Sequence, residues 1–379
     1  MARTMTSDKN KIVVGILFGG KSAEHEVSLQ SAKNVYDAID RGKYEPVLVG
    51  IDKSGKWHST GGSLSLLNAG DPRLISLNRT GDPVVLAPES RGLLSRQERN
   101  RNPGFAAEES GFRLDVVFPI LHGPFGEDGT VQGLLKLADI PFVGAGVMGS
   151  AAGMDKDVMK RLLRDAGIPI GKFLTLRSHN AVPSYDEVEA ELGGTVFVKP
   201  ANMGSSVGVS KVRGGAEFSR AVQEAFQYDT KIIIEEFIPC REIECAVLGN
   251  ENPAASVPGE VIPAHEFYSY EAKYIDENGA ALEIPAKLDK DTQNRVRDLS
   301  VRVFQTLCCE GLARVDFFLR ENGELLVNEI NTMPGFTKIS MYPKLWEASG
   351  IGYTELIGRL IELAMERHKK ERVIRISYA

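Results

Sequence analysis

No apolar run in the chain approaches the ~18 residues that a membrane-spanning helix requires. Residues 1–11 are polar and lack the apolar centre of a secretory signal. Cysteine is scarce: Cys240, Cys245, Cys308 and Cys309 form no CxxC pair and no disulfide-framework spacing. Reduced thiols and a cytoplasmic location are therefore expected. A basic excess is also missing, because the formal net charge is −6, and this argues against a nucleic-acid binder. A locally basic pocket for a small anion stays open. Internal repeats and long low-complexity tracts are absent too. What is present is ordinary for a globular chain of 379 residues, 42% apolar and 25% charged, and long enough for two or three domains.

The first part alternates strand and helix patterns. Residues 12–18 (IVVGILF), 44–51 and 115–121 are near-continuous apolar runs, as expected of buried parallel strands. Residues 24–39 carry Val27, Ala32, Val35 and Ile39 near helical spacing. Residues 130–138 read as a helix and 141–143 as a short strand, completing an α/β pattern. Over about 52–113 the signal weakens to short edge structure and exposed loop. A second unit shows helices at 156–166 and 216–226 and strands at 170–176, 196–199, 207–212 and 232–236. A third shows strands at 242–248, 313–319 and 325–330 and amphipathic helices at 291–309 and 353–368.

Two glycine motifs mislead. Residues 15–22 (GILFGGKS) satisfy GxxxxGK[ST], but Ile16, Leu17 and Phe18 fall inside a buried strand, so no loop is left to wrap a phosphate. Gly144, Gly146 and Gly149 (GAGVMG) satisfy GxGxxG, yet the next strand ends in Leu176-Arg177, without the acidic residue that holds a ribose. A tight turn between domains is expected there.

Other motifs carry chemistry. Residues 122–133 (HGPFGEDGTVQG) follow an apolar strand and open a helix, at the sheet edge where ligands bind. The loop 19–28 (GGKSAEHEVS), with Glu24, lies at the same edge. Lys199 ends a strand beside a Gly/Ser loop, 201–208 (ANMGSSVG), and Lys156 opens a helix; such lysines and loop N–H groups hold phosphates. Glu329 and Asn331 lie two apart on a strand and share a face. A turn at 321–323 brings Asp316 alongside. Oxygen donors without His or Cys suit magnesium. Arg314 shares the face of Asp316, where a guanidinium can stabilise charge on a carbonyl oxygen, and Gly335 offers a backbone N–H to the same oxygen.

Together these strings resemble the D-alanine–D-alanine ligases of the ATP-grasp superfamily over about nine-tenths of the chain, from Gly19 to Met341. The resemblance implies an α/β fold, α+β towards the C-terminus. It is the three-domain ATP-grasp architecture, with an N-terminal Rossmann-like parallel-sheet domain (1–146), a central subdomain (147–240) and a C-terminal subdomain (241–379) bearing the metal site and a lid. It implies ATP as co-substrate, two magnesium ions (manganese substituting) on Asp316, Glu329 and Asn331, and a cytoplasmic homodimer serving peptidoglycan synthesis, with no nucleic-acid or membrane partner.

By the same resemblance Glu24 takes the ammonium of the first D-alanine with His122 nearby, and Ser340 and Met341 hold the carboxylate of the second. Lys156, Lys199 and Ser206 hold phosphates. Glu235, Glu236, Phe237 and Ile238 meet the adenine, and Glu242 the ribose. Residues 264–275 (AHEFYSYEAKYI) resemble a lid, in which Lys273 reaches phosphate and Tyr274 links to Ser205 and Glu24. The nearest rival is a D-alanine–D-lactate ligase, against which Tyr274 within YSYEAKY argues.

Overall fold

The computed structural model describes residues 11–59, 66–68, 75–78, 82–87, 92–95, 111–263 and 280–375. The apolar run after Lys11 forms β1 (Ile12–Gly19), and α1 (His25–Ala38) leads to β2 (Tyr44–Ile51). Gly15 has a physical reason inside β1: a Cβ there would stand 2.8 Å from Leu114. The weak region contains more strand than expected: β3 (Trp57–Ser59), β4 (Leu66–Leu67), β5 (Ser76–Leu77), β6 (Asp82–Ala87), β7 (Gly92–Ser95) and β8 (Gly111–Arg113). With β9 (Val116–Ile120) these build a seven-stranded sheet of order β8-β7-β6-β3-β2-β1-β9, β4 and β5 pairing separately. β1 is parallel to both β2 and β9. The expected parallel sheet is therefore this three-stranded centre, and β3, β6, β7 and β8 extend it antiparallel.

Next come α2 (Thr130–Leu137), α3 (Val147–Met154) and α4 (Lys156–Asp165). The expected strand at 141–143 is a single bridge, Val117 to Phe142. A four-stranded antiparallel sheet, order β10-β13-β11-β12, combines β10 (Phe173–Arg177), β11 (Val196–Pro200), β12 (Ser210–Val212) and β13 (Lys231–Glu236). It carries α5 (Tyr185–Leu192) and α6 (Gly215–Ala225). The strand expected at 207–212 starts three residues late, because Ser205, Ser206 and Gly208 have φ of 52°, 60° and 68° and turn the chain.

The third sheet has the order β17-β16-β14-β18-β19, with β15 paired to β14. Its strands are β14 (Arg241–Gly249), β15 (Ala254–Ala255), β16 (Gly259–Pro263), β17 (Ala280–Glu283), β18 (Gly311–Leu319) and β19 (Leu325–Asn331). α7 (Lys290–Thr306) covers one face, and α8 (Met341–Ala348) and α9 (Tyr353–Arg372) close the chain. One continuous apolar core joins β1, β2 and β9 to α8 and α9. At its centre Phe336, fully buried, meets Phe118 edge-on at 5.6 Å between ring centroids, with Tyr342 at 5.7 Å. That packing ties the segment after β19 to the N-terminal sheet and fixes Gly335 beside it.

Candidate active site

The site is built on one face of the third sheet. The register sets Glu244, Asp316 and Glu329 opposite one another on β14, β18 and β19, and Arg314 opposite Asn331. Asp316 and Glu329 thus stand together, as the expected turn demands. A bulge follows: Phe317 pairs with Val327 while Asp316 pairs with Glu329, so Asn328 has no partner residue across the ladder. Strict alternation would turn Asn328 away, but the bulge brings both Asn328 and Glu329 to the cavity wall.

The cavity measures about 420 Å³ and gathers residues distant in sequence. Glu24, Lys156, Ser205, Glu242, Arg314, Asp316, Glu329, Asn331, Gly335, Ser340 and Met341 all line it. His122, Lys199, Ser206 and residues 235–238 do not. Lys273 and Tyr274 lie outside the described residues.

Charges in the wall are paired. Arg314 Nε and Nη2 donate to the two carboxylate oxygens of Asp316, each at 2.7 Å, and Nε lies 2.8 Å from Glu244 Oε2. Lys156 Nζ donates to the Met203 carbonyl at 2.8 Å and lies 3.6 Å from Glu329 Oε2. Asp155 positions Lys156 by capping α4 and by accepting from Lys231.

A buried trio includes Lys160, one helical turn beyond Lys156. Lys199 pairs with Glu235, and Lys160 Nζ lies 2.8 Å from Glu235 Oε1. Burial pushes the Glu235 carboxyl up, but Lys160 and Lys199 outweigh it and hold its pKa at about 2. Burial lowers Lys160 despite Glu235, whereas Glu235 and Glu329 raise Lys199 against its own burial. Glu236 turns elsewhere, accepting from the Lys172 N–H at 2.7 Å and lying 3.3 Å from Arg320 Nη2. Phe237 is packed under Lys211, and Ile238 is buried.

On the opposite wall Ser205 Oγ donates to Glu24 Oε1, so the Gly/Ser loop reaches the N-terminal sheet edge. His122 Nδ1 donates to the Met333 carbonyl at 3.0 Å and lies 3.5 Å from Glu127 Oε1, with Ser31 Oγ 3.3 Å from Nε2. Burial lowers its pKa, but Glu127 and then Glu24 reverse this and raise it. Glu127, lining the cavity, is raised first by burial and further by Glu24. Ser340 precedes α8, so it and Met341 place a helix N-terminus at the cavity, an arrangement suited to a carboxylate.

Asp316, Glu329 and Asn331 offer carboxylate and amide oxygens, which suit a hard cation. Among the described residues no group of three or more His, Cys, Asp or Glu is arranged to hold a metal; this donor set has two carboxylates and one amide. Sequence reasoning missed Glu127, Glu244, Asn328 and Lys160. Each had a signal: an acid within the HGPFGEDG string, polar residues in apolar strands, and a lysine one helical turn beyond Lys156.

Two family models match the chain, "D-ala D-ala ligase N-terminus" over residues 13–145 and "D-ala D-ala ligase C-terminus" over 162–362. A D-alanine–D-alanine ligase of Oceanobacillus iheyensis is 55% identical over 365 residues, 96% of this chain and 98% of that protein. The solved D-alanine–D-alanine ligase of Coxiella burnetii superposes with a TM-score of 0.82 at 37% identity, covering 96% of this chain and 97% of that one. The VanG D-Ala:D-Ser ligase of Enterococcus faecalis gives 0.80 at 34% identity, covering 93% and 99%.

Proposed function

The chain belongs to the D-alanine–D-alanine ligase family, and on that premise we propose that it joins two D-alanines into D-alanyl-D-alanine, a peptidoglycan precursor, with ATP converted to ADP and phosphate. The D-lactate alternative is not favoured, since the relatives at 53–55% identity are D-alanine–D-alanine ligases. The observation that carries the reading is the meeting of Glu24 with Arg314, Asp316 and Glu329 around one cavity. It supports reading Glu24 as an ammonium acceptor across from a face suited to phosphate and oxyanion.

The first D-alanine carboxylate attacks the γ-phosphate of ATP and forms an acyl-phosphate. Glu24, fixed by Ser205, holds the ammonium of this substrate and His122 steadies the same wall. Lys156 and Lys199 hold phosphates and do much of the work by positioning and charge neutralisation. Asp316, Glu329 and Asn331 would hold magnesium or manganese, which would neutralise phosphate charge there. Ser340 and Met341 seat the second carboxylate. The amine of the second D-alanine then attacks the acyl-phosphate carbonyl, and Arg314 with the Gly335 N–H stabilises the tetrahedral oxyanion. Its collapse breaks the C–O bond to expel inorganic phosphate, while the nitrogen loses a proton to leave the amide. Ser206, Glu235, the 236–238 backbone and Glu242 serve the nucleotide, and Lys273 and Tyr274 belong to a lid that excludes water.

Domain divisions after 146 and 240 and a cytoplasmic homodimer complete the proposal. Among the described residues no helix is long and apolar enough to cross a membrane. Incubation with ATP, magnesium and D-alanine, read by mass spectrometry, should yield one D-alanyl-D-alanine per ADP. Ester formation with D-lactate in preference to dipeptide would overturn the assignment.

A further inference from the structure

Lys160 is buried at a position where nothing in the helix asks for a lysine. It lies one turn after Lys156 on α4, its side chain is 3% exposed, and taking an ammonium out of water costs several kcal/mol unless it is paired. Its partner is Glu235, whose two oxygens are divided between two lysines: Oε1 faces Lys160 and Oε2 faces Lys199. Lys199 is the lysine assigned to phosphate, and turning its three N–H donors towards a polyphosphate weakens its hold on Glu235.

We propose that Lys160 is a positioning residue of the nucleotide pocket, retaining Glu235 as an oriented acceptor for the exocyclic amine of adenine when Lys199 turns to the phosphates. The proposal rests on the reading of this pocket as an ATP site. Without Lys160, departure of Lys199 strands a buried carboxylate, which then either protonates or pulls Lys199 back. Protonation spoils an acceptor aimed at an amine, and recapture of Lys199 weakens phosphate binding. The charged groups around Glu235 are Lys160 from α4 and Lys199 from β11, with Glu329 of β19 acting on both lysines. With both lysines in place Glu235 stays ionised throughout the neutral range.

The test compares binding of ATP and of inosine triphosphate, which lacks the exocyclic amine, by calorimetry with the full chain. Wild type should prefer ATP with little pH dependence between pH 6 and 8. Lys160→Met should lose about tenfold in ATP affinity, the scale of one hydrogen bond to a charged group. Its preference over inosine triphosphate should collapse at pH 6 and recover as pH rises and Glu235 ionises. Lys160→Arg, which keeps the charge, should restore the wild-type pattern. If Lys160→Met lacks a cooperative melting transition, Lys160→Gln is measured instead, with the same loss expected. Undiminished ATP affinity together with an undiminished ATP preference in a folded, uncharged variant overturns the role of Lys160. Failure of wild type to bind ATP at all overturns the nucleotide site itself.

Discussion

Replacing Arg314 by alanine removes a guanidinium that grips both oxygens of Asp316 at 2.7 Å and reaches Glu244 at 2.8 Å. Its loss leaves Glu244, Asp316 and Glu329 as three carboxylates opposite one another on adjacent strands. Two such charges about 5 Å apart repel by roughly 3 kcal/mol at an effective dielectric of about 20. Removing one partner of a fully buried pair costs about 3–5 kcal/mol. Here Arg314, Glu244 and Asp316 are 13–18% exposed and face an open cavity, so a stability loss of about 1–3 kcal/mol is expected after solvent screening. The catalytic loss is larger in effect, about 10²–10³ in kcat, because the donor acts on charge that appears in the transition state. The KM for ATP should change little, since Lys156 and Lys199 lie on other elements. Arg314→Lys should recover stability better than rate, because an ammonium cannot make the forked contact to Asp316. A coupled ADP-release assay at saturating D-alanine, paired with thermal melts, separates the two effects. Unchanged kcat in an Arg314→Ala protein with a lowered Tm would reduce Arg314 to a structural ion pair and refute the oxyanion role.

Gly149→Ala should destabilise by about 1–3 kcal/mol, because the new Cβ would stand 2.6 Å from the Cys308 carbonyl. A rise in Tm, as helix propensity alone suggests, would contradict this packing reason for the glycine. Glu235, held at about 2 in the fold, contributes stability that is present above the unfolded carboxyl pKa of ~4.3 and lost as pH falls towards 2. Urea melts should therefore show Glu235→Gln less stable than wild type at pH 7, with the gap narrowing below pH 4; a gap that ignores pH would count against the lysine clamp. Chelation with EDTA should abolish turnover, and magnesium should restore it where zinc does not. Activity surviving thorough chelation would remove Asp316, Glu329 and Asn331 from the reaction.

Strands rich in apolar residues were legible: β1, β2 and β9 lie in near-continuous apolar runs, and β18 where apolar residues flank Arg314 and Asp316. The cross-strand meeting of Asp316 with Glu329 followed from a short turn and the alternation of side chains. Where the backbone departed from regularity, legibility failed. The bulge at Asp316/Phe317 carried Asn328 to the cavity against the period of two. Left-handed Ser205 and Ser206 shortened β12. α5 went unseen although Ser184 and Glu187 form a capping box at its start, since its interior has few apolar residues to set a period. α8 was hidden by Pro343 in its first turn, a place where proline is tolerated. Lys160 and Glu244 gain meaning through partners far away in sequence, Glu235 and Arg314, which no local pattern reveals.

Phosphorylation of a carboxylate in this cavity is most directly tested by oxygen transfer. D-alanine carrying heavy oxygen in its carboxylate should pass one labelled atom per turnover to the released inorganic phosphate and leave none in ADP. Label absent from phosphate, or found in AMP, would contradict the acyl-phosphate step and the reading of Glu24, Lys156 and Arg314 around it.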